Sequence, residues 1–433
     1  MKNLVWFMIF MSAFFPGVAA QDTRYERQVK TLLEDLREVT HVPAFSVAAV
    51  HRGKLVAAVA SGTVNAQSQE KATSNHLFRL ASVSKVVGAT MLAELAMQNK
   101  LDVDGPIGQY YPQLDRKYHD ITMRQLMAHI SGMPHYQAKD IFIDRTHYDS
   151  ATEAVVTLKG RNLLTEPGMQ YHYSSHGYTL AGAIYEQITG HALEDSLPQF
   201  IKAYSGRKSP LIEDVTRRNP QRSGLFERDG DKVVPASFND KSYCVFGAGL
   251  SATAPDLAFL GQAVLERAKA IPELHELLFT PVHTKTGEAT GRPLYEVAFG
   301  WRVGKDASGR TVYHHAGVTP GARSVIVLYP EEEFTLVFLS NSSWVSQIER
   351  TAFALARLYL ESGIEDMDNQ NAVFDGFYED EAMTGHISCQ AEQCWLNDER
   401  GPLSKGIGRF NPTLIHGNYG QCCLIRGTTC AIY

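Results

Sequence analysis

Strand-like runs stand at both ends of this sequence, and the stretch between them reads as helix and loop. Near the start, Ala44–Val50 and Leu55–Val59 flank Arg52-Gly53, a pattern that predicts a β-hairpin. Far along the chain, Thr311–His314, Arg323–Tyr329 and Phe334–Leu339 return to strand character, with Pro330–Glu333 turning between the last two. Helical stripes lie outside both groups. Val29, Leu32, Leu33, Leu36 and Val39 recur at helical spacing in Tyr25–Val39, as do Ile348, Ala352, Leu355, Ala356 and Tyr359 in Trp344–Leu360. In the middle, helices are predicted from Ser82 to about Lys100, from Ile121 to a stop at Ile130–Pro134 and from Gly177 to Thr189, while residues 205–240 read as loop. The predicted fold class is α/β (α+β) with two lobes: an antiparallel sheet built from both termini, and a mostly helical lobe. A cleft between lobes is the expected place for a site.

The chain has 433 residues and a formal charge of −6, with no lysine- or arginine-rich block. Nucleic acid is therefore not an expected partner. Met1-Lys2, the apolar run Leu4–Phe15 and the small residues of Pro16–Ala20 read as a signal peptide cleaved after Ala20. That run is short for a membrane span and ends in Pro-Gly, so no stable span is expected after cleavage, and the protein is expected to be secreted or periplasmic. The predicted organisation is a signal at 1–20, one domain at 21–363 and a tail at 364–433. Five of the six cysteines, Cys389, Cys394, Cys422, Cys423 and Cys430, lie in the tail. In an exported chain they suggest disulfides, with a poorly ordered appendage as the rival reading. Cys389 and Cys394 with His386 and His416 have poor spacing for zinc, and Cys244 reads as a small buried hydrophobe.

Three elements carry chemistry. In Phe78-Arg79-Leu80-Ala81-Ser82-Val83-Ser84-Lys85, a serine and a lysine stand at i and i+3, so one helical turn puts Oγ and Nζ within reach of each other. Ser82 is expected where the helix begins, facing its free N–H groups, with Lys85 placed to take its proton. The competing reading is a helix cap and a solvated lysine. In the second element, Pro167–Tyr178, Tyr173 and Ser175 project from a loop entering the next helix, and a tyrosine beside a lysine can shuttle a proton. The third, His314–Gly321, is read as a strand end opening into a tight turn. Gly317 would allow close backbone approach, the N–H of Val318 would pair with that of Ser82 as an oxyanion hole, and His315 would donate a hydrogen bond to substrate. His129 and His135 are read as satisfied polar residues.

Taken together, these motifs resemble the serine β-lactamase and penicillin-binding-protein-like family, in particular its class C-type and esterase-like branch. Tyr173-Ser174-Ser175 matches the family's Tyr-x-Asn, and His315-Ala316-Gly317 matches its Lys-Thr-Gly in the His-x-Gly form. Ile121–Gly132, Gly247–Leu257 and Phe299-Gly300-Trp301 agree, so the likeness runs from about Val42 to Leu360. Ala128–Tyr136 also resembles the mitochondrial β-lactamase-like serine proteases. The resemblance implies an acyl-enzyme hydrolase acting on a small-molecule or peptide substrate, with Ser82, Lys85 and Tyr173 catalytic and Ser175, His315, Gly317 and Val318 around the substrate. It requires no metal or organic cofactor and leaves the oligomeric state open. Ser175 in place of asparagine and His315 in place of a permanent cation favour a peptidase, amidase or carboxylesterase. A class C-like β-lactamase or D-Ala-D-Ala carboxypeptidase is the alternative, and a non-catalytic scaffold of the same fold is the second.

Overall fold

The computed structural model describes residues 24–361 except 138–139, 141–142, 231 and 346–347. Of the tail it describes the backbone of 376–379, 384–390, 393–398, 401–402, 413–416, 422–426 and 429–432, all short antiparallel strands. The expected signal segment and the tail's cysteine and histidine side chains lie outside the described residues.

The chain starts with helix α1 (Arg24–Thr40) and the hairpin β1 (Ala44–His51) and β2 (Lys54–Gly62). Arg52 and Gly53 at its tip have φ of 49° and 74°, the left-handed pair that matches the twist of a two-residue hairpin. Strands β3 (Gly291–Arg292), β4 (Tyr295–Val297), β5 (Arg302–Lys305), β6 (Thr311–Thr319), β7 (Ala322–Tyr329) and β8 (Phe334–Ser340) complete an eight-stranded sheet in the order β2-β1-β8-β7-β6-β5-β4-β3. The seam between the two halves is β1 on β8, antiparallel from Phe45 opposite Ser340 to His51 opposite Phe334. The sheet is thus built from both ends of the domain, as expected.

Both faces of this sheet are covered, which is why its strands read as nearly continuous apolar runs. On the outer face Val47, Val325, Val327, Leu336 and Phe338 pack against Val29, Leu33 and Leu36 of α1 and against the C-terminal helix Ile348–Leu360, through Ile348, Ala352 and Leu355. On the inner face Ala48, Ile326, Leu328, Val337 and Leu339 meet the helical lobe. That lobe contains α2 (Ser84–Met97), α3 (His176–Thr189) and α4 (Ala254–Ala270). Each buried leucine or phenylalanine contributes about 1.5–3 kcal/mol, so the two layers together outweigh any single polar contact described below.

Several boundaries differ from expectation. Helix α2 begins at Ser84 after a 3-10 turn at Ala81–Val83, and it ends at Met97. The helix expected from Ile121 to the Ile130–Pro134 stop is only Met123–Met127, because Thr122 and Gln125 form a reciprocal capping box that starts it late. The 205–240 stretch holds a small hairpin, Phe226–Asp229 on Lys232–Pro235. Strand β6 runs on to Thr319, so His315-Ala316-Gly317 lies within the strand and the turn follows at Pro320-Gly321. Among the described residues, no helix is long and apolar enough to cross a membrane.

Candidate active site

The turn that carries Ser82 is fixed from several sides. Phe78–Arg79 pairs with Leu250–Ala252, Leu80 N–H donates to Leu250 O at 2.8 Å, and Leu250 N–H donates to Ser84 Oγ at 3.1 Å. Beneath it, Arg79 is ion-paired with Glu213 at 2.5 Å, the two side chains 0 % and 1 % exposed. A second guanidinium nitrogen of Arg79 donates to Asn239 O. Ala81 has a φ of 46°, a left-handed conformation that costs an L-residue roughly 1–3 kcal/mol and is held by the surrounding contacts. Ser82 follows, half-buried at the open end of α2.

Lys85, completely buried, donates to three oxygens: Ser82 Oγ at 3.2 Å, Ser175 Oγ at 3.0 Å and Gly247 O at 2.7 Å. The Gly247 carbonyl reaches it because Val245–Ala248 packs tightly on α2. A Cβ at Gly88 would lie 2.5 Å from the Phe246 ring, so only glycine permits this approach. Nζ also sits over the faces of Tyr173 and Tyr178, 4.9 and 5.2 Å from their centroids. Tyr173 donates its hydroxyl to Ser82 Oγ at 2.8 Å. Ser82 therefore accepts from both Lys85 and Tyr173, and Ser175 engages the lysine that an asparagine would otherwise steady.

His129 and His135 hold Tyr173 in place. The His129 ring lies 4.3 Å from that of Tyr173, and its Nδ1 accepts from Ser174 N–H at 3.1 Å. His135 meets Tyr173 edge-on at 5.4 Å and accepts from Ser175 N–H at 3.3 Å. Both are kept neutral at ordinary pH. Burial, and then the nearby Lys85, hold His129 well below the usual imidazole range, and desolvation followed by Lys85 brings His135 to about 4.

Gly317 lies against the Ser82 turn. A Cβ there would stand 2.3 Å from Leu80 O and 2.7 Å from Ser82 N, which places the strand backbone beside the Ser82 amide. Val318 is exposed at this edge. His315 differs from expectation. It is buried, and its Nδ1 lies 2.8 Å from Ala316 O, an acceptor, so Nδ1 must carry the proton. Burial, then Arg302 and Lys85, holds the ring neutral. Its Nε2 is thus an acceptor and not the donor expected for substrate.

Sequence reasoning passed over several of these groups. The Gly247 contact is a backbone carbonyl, which has no side-chain signal. His129 and His135 are lone histidines whose only clue was the Ala128–Tyr136 segment around Ser131-Gly132. Among the described residues no group of three or more metal-type ligands is assembled.

A family model described as Beta-lactamase matches residues 29–360. The chain belongs to the beta-lactamase family. It is 23% identical to Penicillin-binding protein 4* of Bacillus subtilis (strain 168) over 346 residues, covering 76% of this chain and 75% of that protein. The mitochondrial serine beta-lactamase-like protein LACTB of Homo sapiens is 22% identical over 70% of this chain and 72% of its own. Among solved structures, a class C beta-lactamase superposes with a TM-score of 0.65 at 18% identity, covering 78% of this chain and 98% of that one. The two-lobed arrangement of this beta-lactamase-family protein is therefore the fold of that group.

Proposed function

We propose that the protein is an exported serine hydrolase that cleaves an amide or ester bond through an acyl-enzyme on Ser82. One observation carries the reading: Ser82 Oγ is within hydrogen-bond reach of both Lys85 Nζ, at 3.2 Å, and the Tyr173 hydroxyl, at 2.8 Å. A serine hydroxyl needs a base to attack a carbonyl, and this pair supplies one with a route for the proton. In the proposed reaction Lys85 in its neutral form, helped by Tyr173, turns its lone pair to Ser82 and takes the hydroxyl proton as Oγ bonds to the carbonyl carbon. The N–H groups of Ser82 and Val318 receive the developing oxyanion. The tetrahedral centre collapses, the bond to the leaving group breaks, and Tyr173 returns the proton to that group. Water then attacks the ester by the reverse route and frees the acid. Ser175 steadies Lys85, and Gly317 lets the strand edge come close. The proposed boundaries are a signal at 1–20, the hydrolase domain at 21–363 and a separate tail at 364–433.

Substrates of the peptidase, amidase or carboxylesterase kind fit the site better than β-lactams or D-Ala-D-Ala peptides. His315, which stands where the family's cation would be, is neutral and has its one N–H turned to Ala316 O. A carboxylate beside that ring would meet a lone pair, where the family's cation would offer a charge of its own. The test is the intact mass of the mature protein after a fluorophosphonate and, separately, after a penicillin. The expected result is a stoichiometric phosphonyl adduct on Ser82 and neither lasting penicilloylation nor penicillin turnover. A lasting penicilloyl adduct would move the reading to a penicillin-binding peptidase, and penicillin turnover to a β-lactamase. No adduct with either probe in folded protein would leave a scaffold.

A further inference from the structure

We infer that Ser324 is a positioning residue for the nucleophile turn: reaching across Gly317, its hydroxyl holds the Leu80 carbonyl and so sets the Ser82 amide and hydroxyl. The inference rests on the reading of Ser82 as nucleophile, to which it adds a residue from the opposite lobe.

Ser324 stands on β7 directly opposite Gly317 of β6 and is fully buried. Its Oγ–H donates to the Leu80 carbonyl in a short hydrogen bond between residues 244 positions apart. The same carbonyl accepts Val83 N–H at 3.1 Å, closing the turn that carries Ala81 and Ser82. The plane of the Leu80–Ala81 peptide is the part of this turn under strain, because Ala81 has a φ of 46° without being glycine. Rotating that plane would carry φ of Ala81 to negative values, where an alanine is at ease, and would swing the Leu80 oxygen away. The Ser324 hydrogen bond opposes this rotation from the side of the sheet.

Gly317 makes the arrangement possible. A Cβ at that position would lie 2.6 Å from Ser324 Oγ, 2.3 Å from Leu80 O and 2.7 Å from Ser82 N. The missing side chain is the window through which the serine reaches the turn. One contact thereby ties sheet, strand edge and nucleophile together at the spot where the oxyanion N–H must be aimed. A purely structural serine would only satisfy its own hydroxyl, and its loss would lower stability without moving the turn.

The experiment compares Ser324→Ala, Ser324→Thr and the double variant Ser324→Ala/Ala81→Gly. It uses the rate of phosphonylation of Ser82 by a fluorophosphonate, kcat and KM for a chromogenic ester, and crystal structures. Ser324→Ala is expected to slow phosphonylation and lower kcat by about a hundredfold, the scale of a 1 Å misplacement, with KM little changed. In its structure Ala81 turns to negative φ. Threonine, which keeps the hydroxyl, restores the rate. Glycine at 81 restores part of it, since glycine holds a positive φ without help. Should the alanine variant not fold, Ser324→Cys keeps the volume, weakens the donor and is judged by the same criteria. A variant lacking the hydroxyl that keeps Ala81 at positive φ and reacts at the wild-type rate overturns the inference. Wild-type protein that takes up no probe overturns the hydrolase reading instead, and the φ of Ala81 in the variant then decides the role of Ser324.

Discussion

The two faces of the central sheet are covered alike but used differently. On the outer face, α1 and the C-terminal helix cover the sheet with Val29, Leu33, Leu36, Ile348 and Leu355, a layer whose chemistry is packing. On the inner face the same strands meet a lobe that buries Lys85, His129, Ser175, His176 and the Arg79–Glu213 pair within its apolar core. Burying such groups costs free energy that apolar side chains would not. The outer layer supplies stability, and the inner one spends part of it on a polar constellation. Mutation on either face should therefore be able to lower stability, but only mutation on the inner face should change the rate.

The sharpest separation comes from the proposed nucleophile and its lysine. Ser82→Ala is expected to cut acylation by roughly 10⁴-fold or more, and Lys85→Met by on the order of 10³-fold, while the melting temperature stays level or rises. Ester turnover and calorimetry on the same samples check this, and a Ser82→Ala variant with wild-type turnover would refute the mechanism. Next comes Glu213→Ala. It strands Arg79 uncompensated beneath the turn and should cost about 3–5 kcal/mol of unfolding free energy in urea, with acylation slowed as well. On the outer face Leu33→Ala should cost about 2–5 kcal/mol in the same assay, yet leave kcat and KM of the folded fraction unchanged. If Leu33→Ala instead altered kcat, the division of labour between the faces would be wrong.

The outer face is also the part that the sequence made most legible. A stripe such as Val29, Leu33 and Leu36, or an apolar run such as Phe334–Leu339, reports burial directly, and the seam of β1 on β8 follows from strands at both ends. On the inner face Ser82, Lys85, Tyr173 and Ser175 could be nominated because their motifs are local, and the fold brings these four together. What stayed hidden depends on long-range contact or on backbone. The Gly247 carbonyl beside Lys85, Ser324 on Leu80 and the positive φ of Ala81 leave no periodic trace. Short strands such as Gly291–Arg292 and Tyr295–Val297 are likewise too brief for alternation to register. The hydrogen-bonding sense of His315 is hidden too, because its tautomer follows from a neighbouring carbonyl, which spacing cannot show.

The smallest predicted effect crosses the division between the faces and so tests how far it extends. His176, on the inner side, and His314, which packs edge-on against Phe353 of the C-terminal helix, are both buried. Burial is the main reason both are lowered to about 3, with Arg161 acting further on His176 and Arg302 on His314. Between that value and the ordinary 6.5, the unfolded chain binds a proton at each site that the folded chain refuses. Their contribution to stability is therefore fully present above about 6.5 and is lost as pH falls toward 3, by up to about 1.4 kcal/mol per pH unit for each histidine. Urea unfolding measured from pH 7 to pH 4 should show this slope, and His176→Phe and His314→Phe should each flatten it. If only His176→Phe did so, acid sensitivity would belong to the inner face along with the chemistry. Equal flattening would make it a property of burial alone, shared by both layers, and would leave the polar constellation around Ser82 as what sets the inner face apart.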